Sequence, residues 1–117
     1  MSRELEHKLQ VQCVRYFRLK HPKELIFAIP NGGKRNLITA MKMKAEGVLA
    51  GIPDLMVAAS RNGYHGLFIE MKNGKVGRVT EHQTEAMKRL EAEGYKCEVV
   101  RDFASFCQVT EDYLQTK

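Results

Sequence analysis

Apolar residues recur along this chain with two different periods. Between residues 3 and 20 an apolar side chain returns every four positions, at Leu5, Leu9, Cys13 and Phe17, which is the spacing of one face of an α-helix. Elsewhere, short apolar runs are bounded by glycine, proline and asparagine, which is typical of strands. The pattern predicts the order helix, strand, short helix, strand, strand, helix, strand, helix. It therefore predicts an α/β protein with a mixed four-stranded sheet flanked by helices.

Turn and capping residues set the expected boundaries of these elements. The strands are expected over residues 25–29, 54–59, 65–72 and 96–100. Asn62-Gly63 predicts a hairpin between the second and third strands. Asn36 is a good N-cap for the short helix. Thr80 and Gln83 fit the capping-box pattern at the start of the third helix.

The third predicted strand carries an acid and an amine on one face. Glu70 and Lys72 are two residues apart, and strand side chains alternate between faces, so both point the same way. The flanking Ile69 and Met71 point the opposite way, toward a core. A hairpin would also bring Asp54, which opens the preceding strand, near Glu70. Two carboxylates and a lysine in one pocket suit a hard divalent cation that takes oxygen ligands.

Each of these motifs also has a purely structural explanation. Glu70 and Lys72 could form a surface ion pair of small value. Pro53-Asp54 could be only a turn, and Gln83 could be only the third residue of a capping box. The three patterns occurring together in this order favour the functional explanation.

Two further polar groups have two explanations each. Glu6 and Gln10 lie one turn apart on the first helix, either as a solvated polar stripe or with the acid leaning over the pocket. Pro30-Asn31-Gly32-Gly33 is followed by Lys34 and Arg35 before a helix begins. Backbone N–H groups at such a helix N-terminus can bind a phosphate, although Asn-Gly-Gly is more often only a turn. No Gly-Lys-Ser/Thr follows, so this is not a nucleotide P-loop.

Composition narrows the class of protein. The chain has 117 residues, 44% hydrophobic and 28% charged, which is typical of one soluble globular domain. No apolar run approaches the ~20 residues that span a bilayer, and no signal peptide is recognisable. We therefore expect a cytoplasmic protein of bacteria or of a phage-infected host, with no membrane partner. Cys13, Cys97 and Cys107 are expected to be reduced core residues, forming neither disulfides nor a zinc site.

The net charge of +5 is unevenly distributed. Residues 1–45 hold ten basic and three acidic side chains, whereas residues 79–117 hold five basic and eight acidic ones. A basic N-terminal third is expected of a protein that meets phosphates, although a merely solvated surface is the alternative. The loop at residues 73–78 adds Lys75 and Arg78, which favours a nucleic acid as the partner.

Taken together, these motifs resemble a known family. Pro53-Asp54, fifteen intervening residues and then Glu70-Met71-Lys72 are similar to the PD-(D/E)xK nuclease signature. More narrowly, the chain resembles the stand-alone phage and bacterial members of the VRR-NUC family. The motifs that carry this resemblance are Glu6 with Gln10, Pro30 to Gly33, Gly47 through Leu55, Phe68 to Lys72, and Gln83. The resemblance implies a single nuclease domain over residues 1–117 with a restriction-endonuclease-like αβββαβ core.

Family membership would imply metal-dependent hydrolysis of DNA phosphodiester bonds. Asp54 and Glu70 would ligate Mg²⁺ or Mn²⁺ together with the backbone carbonyl of Met71. Lys72 would orient or help deprotonate the attacking water and would stabilise charge on the phosphate. Gln83 would position Lys72 or the water from the third helix.

Residues around this centre would complete the site. Glu6 would lie at its edge, where it could hold a second metal ion or a metal-bound water. DNA contacts are expected from Lys75, from Arg78 and from the turn segment, namely Asn31, Gly32, Gly33, Lys34 and Arg35.

Three functions compete at this stage. The first is a structure-selective endonuclease similar to Holliday-junction resolvases, acting as a homodimer on branched DNA. The second is a DNA-binding module without catalysis, and the third is a sequence-specific restriction-type enzyme, for which little chain remains to read bases. A zinc or histidine nuclease is disfavoured, because the four histidines lack ligand-like spacing and each is expected at the surface. They are His7, His21, His65 and His82.

Overall fold

Eight elements of secondary structure follow each other in the order that the apolar pattern predicts. The computed structural model describes residues 2–30, 36–75 and 77–115. The elements are α1 (Ser2–Lys20), β1 (Ile26–Ala28), α2 (Leu37–Ala45), β2 (Leu55–Val57), β3 (Leu67–Met71), α3 (Glu81–Ala92), β4 (Lys96–Val100) and α4 (Phe103–Gln115). The first three strands are shorter than expected by one or two residues at each end.

The four strands form one mixed sheet in the order β1-β2-β3-β4. The strands β1, β2 and β3 pair antiparallel, whereas β3 and β4 pair parallel because α3 connects them. Leu55 lies opposite Ile69 in the β2–β3 register. Strand β3 is therefore an inner strand, and all five of its residues are buried. The predicted α/β fold with a mixed four-stranded sheet is confirmed.

One face of the sheet packs against α1 and α4. Phe17 and Cys13 of α1 meet Phe106 and Tyr113 of α4 over the alternate residues of β2 and β3. Phe106 is fully buried, so the apolar stripe of the last helix belongs to the core. A polar contact joins the same two helices: Tyr16 of α1 donates a hydrogen bond to Glu111 of α4.

The opposite face of the sheet is covered by α3. Phe68 of β3 packs edge-on against Tyr95, with ring centroids 5.2 Å apart. Cys97 of β4 contacts the carbonyl oxygen of Met87 on α3. Since Glu70 and Lys72 alternate with Ile69 and Met71, the two charged side chains share the face that Phe68 occupies. Both faces of β3 are thus buried, which explains why an ionisable pair on it is shielded from water.

Cysteine and histidine environments differ from one position to the next. All three cysteines are free, with Cys13 buried and the other two partly buried, as expected. The expectation that every histidine lies at the surface is wrong for His21. Its side chain is half-buried, and its Nε2 atom lies 2.7 Å from Glu111, because the turn after α1 folds against α4. Among the described helices, none has the length and apolar character needed to cross a membrane.

Helix α3 begins at the capping box that the sequence predicts. The Thr80 side chain accepts a hydrogen bond from the Gln83 backbone, and the Gln83 side chain accepts one from the Thr80 backbone. Asn36 caps α2 in the same way, accepting from the Thr39 N–H at 2.8 Å. These bonds satisfy helix-terminal N–H groups that would otherwise lack partners. They also fix the rotamer of Gln83.

The turn before β2 approaches α3 closely at Gly51. This residue has φ +92°, and a Cβ added there would lie 2.6 Å from the carbonyl oxygen of His82. No side chain fits at that distance. The contact therefore requires glycine and places Asp54, three residues later, against the start of α3, where Gln83 lies.

We predict that Gly51→Ala lowers the free energy of unfolding by about 3 kcal/mol, since it combines backbone strain with a backbone clash. The matched control is Gly47→Ala. Gly47 also has a positive φ, +107°, but a Cβ there would meet nothing within 4 Å. We expect this control to cost about 1 kcal/mol. Urea unfolding of both variants measures the difference, and equal losses would show that the close approach to His82 contributes nothing.

Candidate active site

Asp54 and Glu70 lie next to each other where β2 begins and β3 ends. Asp54 directly precedes Leu55, the partner of Ile69, so continuing the antiparallel register sets Asp54 opposite Glu70. The Asp54 Oδ2 atom accepts a hydrogen bond from the Met71 N–H at 2.8 Å. The carboxylate therefore extends the β2–β3 ladder by one bond beyond the last strand pair. This bond fixes the Asp54 side chain beside Glu70 and turns the Met71 backbone toward it.

Glu70 is a buried acid with an uneven set of partners. Only 2% of its surface is exposed. Its Oε2 atom accepts a hydrogen bond from Gln83 Nε2 at 3.0 Å and lies 3.6 Å from Lys72 Nζ. Its Oε1 atom is buried and has no hydrogen-bond partner among the described residues. A buried polar atom without a partner costs about 1–3 kcal/mol, so this oxygen favours a ligand from outside the chain.

The pKa of Glu70 is raised from 4.5 to about 8. Burial is the largest cause, because it disfavours the charged form. The Asp54 carboxyl beside it raises the pKa further, and the Lys72 ammonium opposes the shift. The Glu70 carboxyl therefore favours its neutral form unless additional positive charge is bound beside it.

Lys72 is held on the same face as Glu70 by its backbone and by its aliphatic stem. Its side chain is 9% exposed, and its backbone N–H donates to the Val100 carbonyl at 2.9 Å. Gly77 packs on the stem, since a Cβ added at Gly77 would lie 3.1 Å from Lys72 Cβ. The amine is thus directed along the strand face toward the two carboxylates.

Arg101 is a residue that the sequence reasoning missed. Its Nη1 atom donates to the Gly74 carbonyl at 2.9 Å and to the Gly77 carbonyl at 2.6 Å. The Gly74 N–H also donates back to the Arg101 carbonyl at 3.1 Å. Arg101 therefore anchors the basic loop after β3, and through Gly77 it holds the loop against Lys72. An arginine just after a strand carries no sequence signal for this role, because its partners are backbone carbonyls of another loop.

Gln83 contributes both as a capping residue and as a partner of the acid. Its Oε1 atom accepts from the Thr80 backbone, while its Nε2 atom donates to Glu70. The capping-box explanation of this residue is therefore confirmed, and the same side chain also contacts the acid. The resemblance implied a contact with Lys72 or with the attacking water, whereas the amide group donates to Glu70.

Glu6 lies apart from the pair of carboxylates. It is half-buried and lines a surface groove between α1 and β1, together with Gln10 and Ala28. Among the described residues, no group of three or more His, Cys, Asp or Glu side chains could hold a metal ion together. Glu6 therefore does not form a three-ligand group with Asp54 and Glu70 among the described residues.

The expected DNA-contacting residues fall into two sets. Lys75 and Arg78 are exposed on the loop that Arg101 anchors, on the same side as the end of β3. The other set, Asn31, Gly32, Gly33, Lys34 and Arg35, lies outside the described residues. The structure therefore adds a position for only the first set.

The residues present fit a divalent metal ion. Asp54 and Glu70 supply carboxylate oxygens, which Mg²⁺ and Mn²⁺ prefer as ligands. The Glu70 Oε1 atom is buried without a hydrogen-bond donor, and the Asp54 carboxylate lies beside it. A bound cation would satisfy the oxygen and offset the charge at once.

Comparison with known proteins identifies the class of this domain. The family model described as "VRR-NUC domain" matches residues 1–103, so the fold and the site define a domain of the nuclease type. The chain belongs to the VRR-NUC family. A search among curated proteins gives no significant match.

Two solved structures are similar to this chain. One, described as a VRR_NUC domain protein, has a TM-score of 0.83 and 28% sequence identity, with 96% of this chain and 89% of the other covered. A second, described as a VRR_NUC domain, has a TM-score of 0.62 and 21% identity, with 92% and 96% covered. The second likeness shows the fold alone. Membership of this nuclease-type family implies DNA as the partner.

We predict that the metal-free protein loses stability as the pH rises, relative to Glu70→Gln. Because the pKa of Glu70 rises from 4.5 to about 8 on folding, its stabilising contribution is complete below pH 4.5. That contribution is lost as the pH increases through about 8, and each pH unit between these two values costs up to about 1.4 kcal/mol. Urea unfolding in EDTA across this range measures the effect. Parallel stability curves for the two proteins would contradict the burial-driven rise in the pKa.

Proposed function

We propose that this protein is a Mg²⁺- or Mn²⁺-dependent DNA endonuclease selective for branched DNA. The observation that carries the proposal is the buried Glu70 beside the partly buried Asp54, with Lys72 on the same face and an unsatisfied Glu70 Oε1 atom. An arrangement that maintains two adjacent carboxylates in a buried site stabilises the fold poorly. Cation binding explains why it is present.

The chain's own residues divide the work of phosphodiester hydrolysis. A bound metal ion supplies Lewis acidity and lowers the pKa of a coordinated water. Asp54 and Glu70 would hold the ion, and the Met71 carbonyl would complete the protein's share of the ligands. Lys72 places positive charge beside the scissile phosphate and orients the attacking water. Gln83 holds the Glu70 carboxylate in one rotamer from the start of α3.

A variant series with a matched control tests the catalytic assignment. Asp54→Asn, Glu70→Gln and Lys72→Met should each reduce DNA cleavage at least ~100-fold, since each removes a metal ligand or the phosphate-facing charge. Lys96 and Glu98 on β4 provide the control, because they too are a lysine and a glutamate two residues apart, with their charged atoms 3.1 Å apart, but their side chains are about one third exposed. Lys96→Met and Glu98→Gln should leave cleavage within about twofold of wild type, as expected for a surface ion pair.

Cleavage is measured on four-way junction, flap, single-stranded and duplex DNA with Mg²⁺ and with Mn²⁺. Calorimetry adds a second readout, because Asp54→Asn should abolish the heat of Mn²⁺ binding. A protein that binds DNA but cuts no substrate and takes up neither metal would be the non-catalytic module instead. Normal cleavage by Lys72→Met would also contradict the assignment.

We propose further that the nuclease acts as a homodimer through α2. No described residue of α2 is buried, and three of its large apolar side chains are more than 60% exposed. They are Leu37 at 74%, Ile38 at 68% and Met41 at 61%. Leu49, in the connection after α2, is also 57% exposed. Large apolar side chains exposed together on one short helix are typical of an interface.

Charge complementarity favours a second copy of the chain as the occupant. Helix α2 carries Lys42 and Lys44 and no acidic residue. The neighbouring cavity, about 500 Å³ and bordered by Leu49, has Glu85 of α3 and the C-cap residue Glu93 in its wall, together with Arg89. In a two-fold interface the basic helix of one protomer can face Glu85 and Glu93 of its partner, and the reverse. Two sites on opposite strands would then suit a branched substrate.

We predict that Ile38→Asp with Met41→Asp converts a dimer into a monomer, because two charges would be buried without partners. Light scattering should show the mass falling from that of two chains to that of one. Cleavage of four-way junctions should fall more than cleavage of single-stranded DNA. Leu19→Asp is the control, since Leu19 is 84% exposed on α1 and outside this surface. A wild-type protein that is monomeric when it cuts junctions would contradict the dimer.

A further inference from the structure

A groove between α1 and β1 runs beside the candidate active site. Its volume is about 550 Å³, and its walls include His7, Arg15 and Arg18 of α1 and Ala28 of β1. On an α-helix, positions 7, 11, 14 and 18 lie on one face, because each step of three or four residues completes about one turn. One continuous helix face therefore forms the groove wall over about three turns.

The groove ends at the candidate site. Arg18 Nη2 donates to the Ile26 carbonyl at 3.1 Å, and the Ile29 N–H donates to the Asp54 carbonyl at 2.8 Å. These two points are three strand residues apart, or about 10 Å at 3.3 Å per residue. Glu6 and Gln10 line the groove on the side nearer the start of α1. Arg18 thus lies at the Ile26 end of β1, about 10 Å along the strand from the end that is bonded to Asp54.

The open edge of β1 forms the floor of the groove. Leu25 and Ile29 direct their backbone groups toward β2, through bonds with Ala58 and Asp54. Backbone groups alternate sides along a strand, so Ala28 directs its N–H and C=O outward into the groove. The sheet edge, with β1 outermost, therefore offers polar backbone groups where the arginine side chains lie.

The charges of the groove suit an anionic strand. Arg18 uses one of its five N–H donors to bind the Ile26 carbonyl, which holds its guanidinium in place while the other donors remain for a ligand. Arg15 is exposed one turn from Val11 and Arg18 and belongs to the same wall. A guanidinium matches phosphate geometry better than an ammonium does, which favours phosphate as the ligand.

We infer that this groove binds the sugar–phosphate backbone of the DNA strand beside the scissile bond. At one phosphate per about 3.4 Å of each strand, the roughly 10 Å between Arg18's anchor and Asp54 corresponds to about three phosphates. The inference rests on the proposed nuclease function. It adds Arg15 and Arg18 as residues that set the path of the DNA strand. They would therefore also set the 5′-to-3′ direction of that strand relative to the metal.

The salt dependence of DNA binding tests this site without any cleavage. Arg15→Ala should weaken binding several-fold in EDTA and reduce the slope of log Kobs against log salt by about 1, since one phosphate contact is lost. Lys88→Ala is the matched control, because Lys88 is an exposed cation on α3, away from the groove. It should leave the slope unchanged. Fluorescence anisotropy with a labelled duplex and a labelled four-way junction measures both variants.

Each outcome decides between the possibilities. A lower slope for Arg15→Ala alone supports the groove. Equal slopes for wild type and Arg15→Ala, or equal losses in Arg15→Ala and Lys88→Ala, overturn it and leave the nuclease assignment intact as long as wild type cuts DNA. A wild-type protein that binds no DNA overturns both, and binding of an extended peptide at the β1 edge instead of DNA would assign the groove to a protein strand.

Discussion

The close approach of Glu70 to Asp54 on an inner strand is the constraint that the rest of the structure accommodates. Strand β3 is buried on both faces, so its acid has neither water nor a full set of donors around it. Lys72 and Gln83 both contact the Oε2 atom of Glu70, and its Oε1 atom has no hydrogen-bond partner among the described residues. Ile69 and Met71, on the other face of β3, pack against α1 and α4 and stabilise the fold, which the buried charged groups do not. Stability and function are therefore divided between the two faces of one strand.

Much of this centre follows from local rules. The period of two along a strand sets Glu70 and Lys72 on one face, and the hairpin brings Asp54 opposite without any long-range information. The capping box at Thr80 is equally local, since its bonds span three residues. What these features share is short sequence separation, so a pattern of residue types is enough to predict them.

Other features depend on contacts between distant segments and escape such reasoning. Arg101 acts on carbonyl groups 24 and 27 residues away, and any residue type can provide a carbonyl. His21 is drawn off the surface by Glu111, 90 residues later. Helix α2 has apolar residues at helical spacing, which normally indicates a buried face, yet they remain exposed within the chain. Periodicity predicts that a face is apolar but not whether the same chain covers it.

Gly51, Asp54, Glu70, Lys72 and Gln83 all fall within 33 consecutive residues, and the contacts that join them are made inside that segment. The candidate site is therefore built almost entirely from one hairpin and the first turn of α3. The terminal helices and the edge strand supply none of these five residues. In related proteins the terminal helices and the edge strand can therefore change in length or sequence, and so fit new substrates or partners, while these five residues stay in place.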